Sequence, residues 1–80
     1  MERFHILQAI KKVLEVDRIE EGEKTSLLCY DTLDFLETVN VLEERFKMTY
    51  TGDFFKFNVS FFKTFKEVID HLMDEKLWIA

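Results

Sequence analysis

Apolar residues near the start of the chain recur at intervals of three and four, and charged residues occupy positions between them. The apolar series is Phe4, Leu7, Ile10, Val13 and Leu14. Because an α-helix turns once in about 3.6 residues, this spacing places the series on one face. It predicts an amphipathic first helix over about residues 2–16. The polar segment that follows contains a glycine, so we expect a loop that Val16 and Ile19 attach to the core.

The most regular apolar spacing comes in the middle of the chain and predicts a second helix. Asp31 or Thr32 is expected to cap its first turn, because either side chain can accept a hydrogen bond from a free helical N–H group. Asp34 complements the positive end of the helix dipole. The apolar series is Leu33, Leu36, Val39, Leu42 and Phe46. Carboxylates lie on or beside the same helix at Asp31, Asp34, Glu37, Glu43 and Glu44.

A last helix is indicated by a T-x-x-E motif, in which the side chains of Thr64 and Glu67 can each bond the other's backbone amide. Apolar spacing extends this helix to near Lys76. Before it, a turn is predicted at residues 51–53, and the stretch FFKFNVSFF suits a short helix or a strand. We expect a short third helix there.

Together these elements predict an all-α fold, a small bundle of three main helices plus a short third helix, in a single domain over residues 1–80. Six phenylalanines fall between positions 54 and 65. They suit a pocket for a hydrophobic ligand, but in so small a domain we expect them to form the core.

Charge and composition exclude several classes of partner and location. The formal net charge of −5 repels phosphate backbones, so nucleic acid is not an expected partner, whereas proteins that present Lys and Arg are. No apolar run approaches the roughly 20 residues that span a bilayer, so no membrane span is expected. The single Cys29 excludes an intramolecular disulfide, and no signal-like segment follows Met1, which favours the cytoplasm.

Candidate chemistry is sparse. His5 and His71 have no neighbouring ligands at metal-binding spacing, so no metal site is expected. No arrangement of serine, cysteine, histidine and carboxylate indicates a nucleophile with its base. We therefore expect that the chain is not an enzyme by itself.

Residues 31–46, DTLDFLETVNVLEERF, resemble the second helix of acyl carrier proteins, which begins D-S-L. Weaker similarity extends to Leu14-x-Val16 and to Thr64-Phe65 with Val68-Ile69-Asp70. The resemblance implies a 4'-phosphopantetheine arm on the hydroxyl of Thr32, added by a phosphopantetheinyl transferase and loaded with a thioester-linked acyl group. It also implies docking to basic patches of fatty-acid, polyketide or related biosynthetic enzymes. The docking candidates are Asp31, Leu33, Asp34, Glu37, Glu43 and Glu44.

The chain departs from the family pattern in three places. Thr32 stands where the family has serine, the preceding SLLCYD lacks the usual glycine and is short, and the segment after Phe46 is longer and richer in phenylalanine. Because the threonine methyl crowds its oxygen, slow modification and no modification both stay open. The alternatives are an unmodified adaptor or regulatory protein that kept the carrier fold, and a hydrophobic-ligand binder. A thioester on Cys29 is disfavoured, since a lone cysteine among apolar residues is expected to be buried and inert.

Overall fold

A computed structural model of the chain describes residues 1–52 and 63–80. Within these ranges the α-helices are α1 (Arg3–Leu14), α2 (Thr32–Phe46) and α3 (Phe65–Leu72). One short 3-10 helix, Thr25–Leu28, lies in the connection between α1 and α2, and a second, Glu75–Leu77, follows α3. Strands β1 (Thr49–Tyr50) and β2 (Trp78–Ile79) form a small antiparallel sheet. The chain is therefore mostly helical, as predicted, and it also carries a sheet that the sequence pattern did not indicate.

Helix α1 buries a face that is shifted from the predicted one. Ile6, Ala9 and Ile10 are buried, whereas Phe4, a member of the predicted apolar series, is 50% exposed. The helix ends where Glu15 adopts a left-handed conformation with φ of 55°. In the following loop Ile19 is buried and Val16 packs against the core, which confirms the predicted attachment.

Helix α2 shows a similar shift. Its buried residues are Phe35, Thr38, Val39 and Leu42. Val39 and Leu42 confirm the predicted face, but Leu33 is 62% exposed and the prediction of a core position for it was wrong. The buried face instead includes Phe35, whose ring meets those of Tyr50 and His71, and Thr38, whose hydroxyl lies against that of Tyr30. Lys47 ends the helix in a left-handed conformation.

Helix α3 begins at the predicted cap. Thr64 Oγ1 accepts the backbone N–H of Glu67 at 3.4 Å. The Glu67 carboxylate accepts the N–H of Lys63 at 2.8 Å, one residue earlier than the predicted capping box requires. The helix ends at Leu72, short of the predicted Lys76, because Asp74 caps a 3-10 helix by accepting the N–H of Lys76 at 3.0 Å. The chain is thereby redirected into β2.

The sheet joins the end of α2 to the end of the chain. Tyr50 pairs with Trp78 and Thr49 with Ile79. The indole N–H of Trp78 donates to the carbonyl of Leu72 at 2.9 Å, and its ring meets that of Tyr50 edge-on at 5.3 Å. Both aromatic residues belong to the core.

The predicted short third helix and most of the phenylalanine-rich stretch lie outside the described residues. Phe65, the last of the six phenylalanines, is fully buried in the core at the start of α3. Among the helices described, none has the length and apolar character that crossing a bilayer requires. In the same part of the chain, no group of three or more metal-ligating side chains comes together.

Candidate functional site at the start of α2

The loop that leads into α2 is held by backbone hydrogen bonds. The N–H of Thr25 donates to the carbonyl of Lys63 at 3.0 Å, which joins the loop to the start of α3. The N–H of Tyr30 donates to the carbonyl of Thr25 at 3.1 Å and closes the turn. The buried ring of Tyr30 then packs edge-on against Phe65, with the ring centroids 5.5 Å apart. These contacts fix the chain directly before Asp31.

A buried chain of hydrogen bonds lies beneath the first turns of α2. The hydroxyl of Thr38 donates to the carbonyl of Asp34 at 2.8 Å. Its oxygen is therefore available to accept the phenolic hydrogen of Tyr30, and the two oxygens are 2.9 Å apart. Burial raises the pKa of Tyr30 far above its ordinary value, so the phenol stays protonated and acts as the donor.

The N-terminus of α2 is capped reciprocally by two aspartates. Asp31 Oδ1 accepts the N–H of Asp34 at 3.0 Å, and Asp34 Oδ2 accepts the N–H of Asp31 at 3.1 Å. Asp31 is thus the cap, which decides between the two predicted candidates. Burial raises the pKa of the Asp34 carboxyl; the hydrogen bond from the Asp31 N–H opposes this shift, and the nearby charge of Asp31 adds to it.

Thr32 is the first helical residue after this cap, and it is half-buried. No hydrogen bond to its hydroxyl is found in the part of the chain that the structure describes. Cys29, two residues before the Asp31 cap, and Leu33, two residues after it, are both exposed. Thr32, a partly exposed residue, therefore lies between exposed side chains on a backbone that the cap and the Tyr30 contacts hold in place.

The exposure of Cys29 corrects the expectation that this residue is buried. It lies at the end of the first 3-10 helix in a left-handed conformation, with φ of 55°. Thr25 and Tyr30 occupy the buried positions of this turn, which leaves the thiol on the outside.

The predicted docking residues fall into two groups. Asp31, Leu33, Glu37 and Glu44 are exposed, and the last three share a helical face with exposed Asn40. We refer to Leu33, Glu37, Asn40 and Glu44 as the acidic face of α2. Asp34 and Glu43 are half-buried, and each carboxylate accepts an internal hydrogen bond, Glu43 from the N–H of Tyr50 at 2.9 Å. Their carboxylates have structural partners within the chain.

The structure also shows two residues that the sequence reasoning missed, Tyr30 and Thr38. A tyrosine directly before the cap and a threonine four residues after Asp34 were the available signals, since a helical threonine often bonds the carbonyl four residues earlier. Neither signal identifies the other as its partner, because their pairing depends on how the loop packs beneath α2.

Comparison of the chain with models of known protein families, with curated proteins and with solved structures finds no match.

Proposed function

We propose that this chain is an acyl-carrier-like module in which Thr32 bears a 4'-phosphopantetheine arm and the acidic face of α2 docks on basic patches of partner enzymes. The observation that carries the proposal is the position of Thr32, the first helical residue of α2, which is partly exposed on a backbone that the neighbouring hydrogen bonds hold in place. The work of such a module is done in the cytoplasm, together with soluble biosynthetic enzymes.

Attachment follows from the chemistry of the hydroxyl. The Thr32 oxygen attacks the phosphorus of coenzyme A that bears the pantetheine chain, and a new P–O bond forms. The phosphoanhydride bond breaks, adenosine 3',5'-bisphosphate leaves, and the hydroxyl proton passes to a base of the transferase. The positive end of the α2 dipole favours the resulting anionic phosphodiester. The methyl group of Thr32 crowds the oxygen and slows the step, since a barrier higher by about 1.4 kcal/mol reduces the rate about tenfold.

Docking is supported by the separation of roles along α2. Glu37 and Glu44 are exposed, whereas Asp34 and Glu43 already accept hydrogen bonds within the chain. Leu33 adds an apolar contact at the end of the face next to Thr32. Charges of this kind chiefly increase the rate of encounter with a basic partner and fix its orientation.

The attachment is tested by incubating the full chain with coenzyme A and a phosphopantetheinyl transferase of broad specificity. We expect a mass increase of about 340 Da that maps to Thr32. Thr32→Ser should react about tenfold faster, because it removes the methyl group and keeps the hydroxyl. Thr32→Ala should not react. Ser26, an exposed hydroxyl in the preceding loop, is an internal control, and modification there instead of at Thr32 contradicts the assignment.

Docking is tested with the same transferase immobilised as the basic partner. The double variant Glu37→Gln, Glu44→Gln should weaken binding most at low salt, because screening already reduces these interactions at higher ionic strength. The double variant Asp17→Asn, Glu20→Gln removes the same charge from an exposed loop and is the matched control. Equal weakening by both pairs would mean that only net charge matters and that the acidic face of α2 is not the docking surface.

The alternative function is an adaptor that kept the docking helix and lost the arm. The β-branched side chain of Thr32 favours it, since a transferase pocket shaped around serine excludes an added methyl group. The transferase assay separates the two functions. The adaptor is favoured if the transferase modifies the Thr32→Ser variant and leaves the natural chain unmodified. Docking should then still depend on Glu37 and Glu44.

A further inference from the structure

All three methionines of the chain lie around one cavity. The cavity encloses about 310 Å³, and Met1, Met48 and Met73 line it together with Leu72 and Trp78. The methionines come from three separate places, which are the start of the chain, the connection between α2 and β1, and the residue directly after α3. We refer to Met1, Met48 and Met73 as the methionine cluster. It shares no residue with the acidic face of α2 or with the start of that helix.

Each methionine of the cluster is partly exposed and also packs against the hydrophobic core. Met73 directly follows Leu72, the fully buried last residue of α3, and Met48 lies two residues before the buried Tyr50 of β1. Trp78 of β2 is 8% exposed and donates its indole N–H to the carbonyl of Leu72. A small solute can therefore reach the methionine residues at the surface, while a change in their polarity would act on the contact between β2 and α3.

A methionine thioether is a two-electron reductant for peroxides. A lone pair of the sulfur attacks one oxygen of hydrogen peroxide, so that a sulfur–oxygen bond forms and the oxygen–oxygen bond breaks. The transferred oxygen gives its proton to the departing hydroxide, which leaves as water. The sulfur is thereby oxidised to a sulfoxide, and the peroxide is reduced. The product is a polar side chain in place of a flexible apolar one.

We propose that the methionine cluster is a peroxide-sensitive modification site, in which sulfoxides at Met48 and Met73 loosen the packing of the β1–β2 sheet on α3. A sulfoxide oxygen at these positions lies against the core, where a polar group without a partner costs free energy. The start of α2 contains no methionine and is held by hydrogen bonds among Tyr30, Thr38 and Asp34. Oxidation therefore destabilises one end of α2 and leaves the contacts of the other end in place. The site requires neither Thr32 nor its modification.

The test uses the full chain with Cys29→Ser, which we call the parent chain, because the exposed Cys29 would otherwise also be oxidised. After treatment with hydrogen peroxide, peptide mapping should find an added mass of about 16 Da on Met48 and on Met73. Trp78 is the only tryptophan, so its fluorescence follows urea unfolding at this end of the molecule. The urea midpoint of the oxidised parent chain should be lower by roughly 1 M.

The position of the effect is measured by amide NMR shifts. Oxidation should change the shifts of Trp78 and Ile79 in β2, because these residues lie beside the cluster or next to its neighbours in the strand. The shifts of Asp31 and Tyr30 should stay unchanged, because the hydrogen bonds at the start of α2 do not involve a methionine.

The matched control is the double variant Met48→Leu, Met73→Leu in the parent chain. Leucine is close to methionine in volume and has no sulfur to oxidise, so peroxide should leave the urea midpoint of this variant unchanged. Met1 stays available for oxidation in it and is thereby tested separately. Circular dichroism shows whether the double variant folds. If it does not, reduction of the oxidised parent chain by methionine sulfoxide reductases decides, because removal of the added mass should restore the midpoint.

The proposal is overturned by any of four results. Peroxide may leave Met48 and Met73 unmodified, or the oxidised parent chain may keep its urea midpoint. The midpoint of the double variant may fall as far as that of the parent chain, which would assign the effect to Met1. Lastly, the reductases may remove the added mass without restoring the midpoint, which would mean that sulfoxides at the cluster are not the cause of the loss.

Discussion

The two ends of α2 are held by different kinds of interaction. At the N-terminal end, hydrogen bonds determine the position of the helix, through the reciprocal cap of Asp31 and Asp34 and the buried chain from Tyr30 through Thr38. At the C-terminal end, the chain turns into β1, where strand pairing with β2 and the packing of aromatic rings hold it.

This difference bears on function. Directional hydrogen bonds beneath the first turns fix the backbone around Thr32, while Thr32 itself stays partly exposed. The aromatic contacts near β1 instead bury apolar surface, because Tyr50 and Trp78 both belong to the hydrophobic core. We therefore expect changes at the C-terminal end to affect stability most, and changes at the N-terminal end to affect the geometry of the proposed attachment site.

The largest effect is expected for Trp78→Ala. Trp78 is 8% exposed, packs on Tyr50 and donates its indole N–H to Leu72. Its loss should reduce the free energy of unfolding by about 3–5 kcal/mol, as measured in urea. Ile79→Ala, in the same strand, is the control, since Ile79 is 56% exposed and should cost less than about 1 kcal/mol. A loss for Trp78→Ala as small as the one expected for Ile79→Ala, below about 1 kcal/mol, would show that the sheet end contributes little to stability.

Sequence reasoning identified α1, α2 and α3 but misplaced part of their buried faces. In α1 and α2 the apolar residues cover more of the surface than the helices bury, so spacing alone allowed Phe4 and Leu33 in place of Ile6 and Phe35. Which part of a wide apolar stripe becomes buried depends on how neighbouring helices pack, and that information is not local.

The sheet was missed for a related reason. Each strand has two residues, too few for the alternation that identifies a strand. The start of α2 was predicted better, because a cap has a local signature: residue types and spacing predicted the cap at Asp31 or Thr32, and the structure has it at Asp31. The internal hydrogen bond of Glu43 depends on its pairing with β1, so the helix sequence could not separate it from the exposed Glu44.

A smaller effect is expected for Tyr30→Phe, which tests whether hydrogen bonds hold the N-terminal end. The change removes the donor to Thr38 and should cost about 1 kcal/mol. In the background of Thr38→Val the same change should cost less, because its partner is already absent, and a double-mutant cycle measures the coupling. Additive losses would indicate that the Tyr30 hydroxyl and Thr38 do not act together.

Two substitutions of Asp31 distinguish the stability that its hydrogen bond contributes from the stability that its charge contributes. Asp31→Ala removes the acceptor of the Asp34 N–H and should destabilise the chain by about 1 kcal/mol. Asp31→Asn keeps an acceptor at the cap and removes the charge, so its midpoint in urea should stay close to that of the natural chain. If Asp31→Asn is as destabilising as Asp31→Ala, the cap acts through charge and not through its hydrogen bond.

The smallest effect is a pH dependence at the C-terminal end. Burial lowers the pKa of His71, with the charge of Asp74 opposing the shift, and His71 Nε2 lies 2.7 Å from the Tyr50 hydroxyl. The unfolded chain binds the proton near the ordinary value of 6.5 and the folded chain only at lower pH. The stability contributed by neutral His71 is therefore present above about pH 6.5 and is lost as the pH falls toward the lower folded pKa.

Urea unfolding at pH 7.5 and at pH 5.5 should show this loss, and His71→Gln should reduce it by removing the titrating group. Tyr50→Phe is the control, because it removes the hydroxyl contact and keeps the ring that buries His71, so most of the pH dependence should stay. If Tyr50→Phe abolishes the dependence as fully as His71→Gln does, the hydrogen bond and not burial sets the pKa of His71. Directional interactions would then be decisive at both ends of α2.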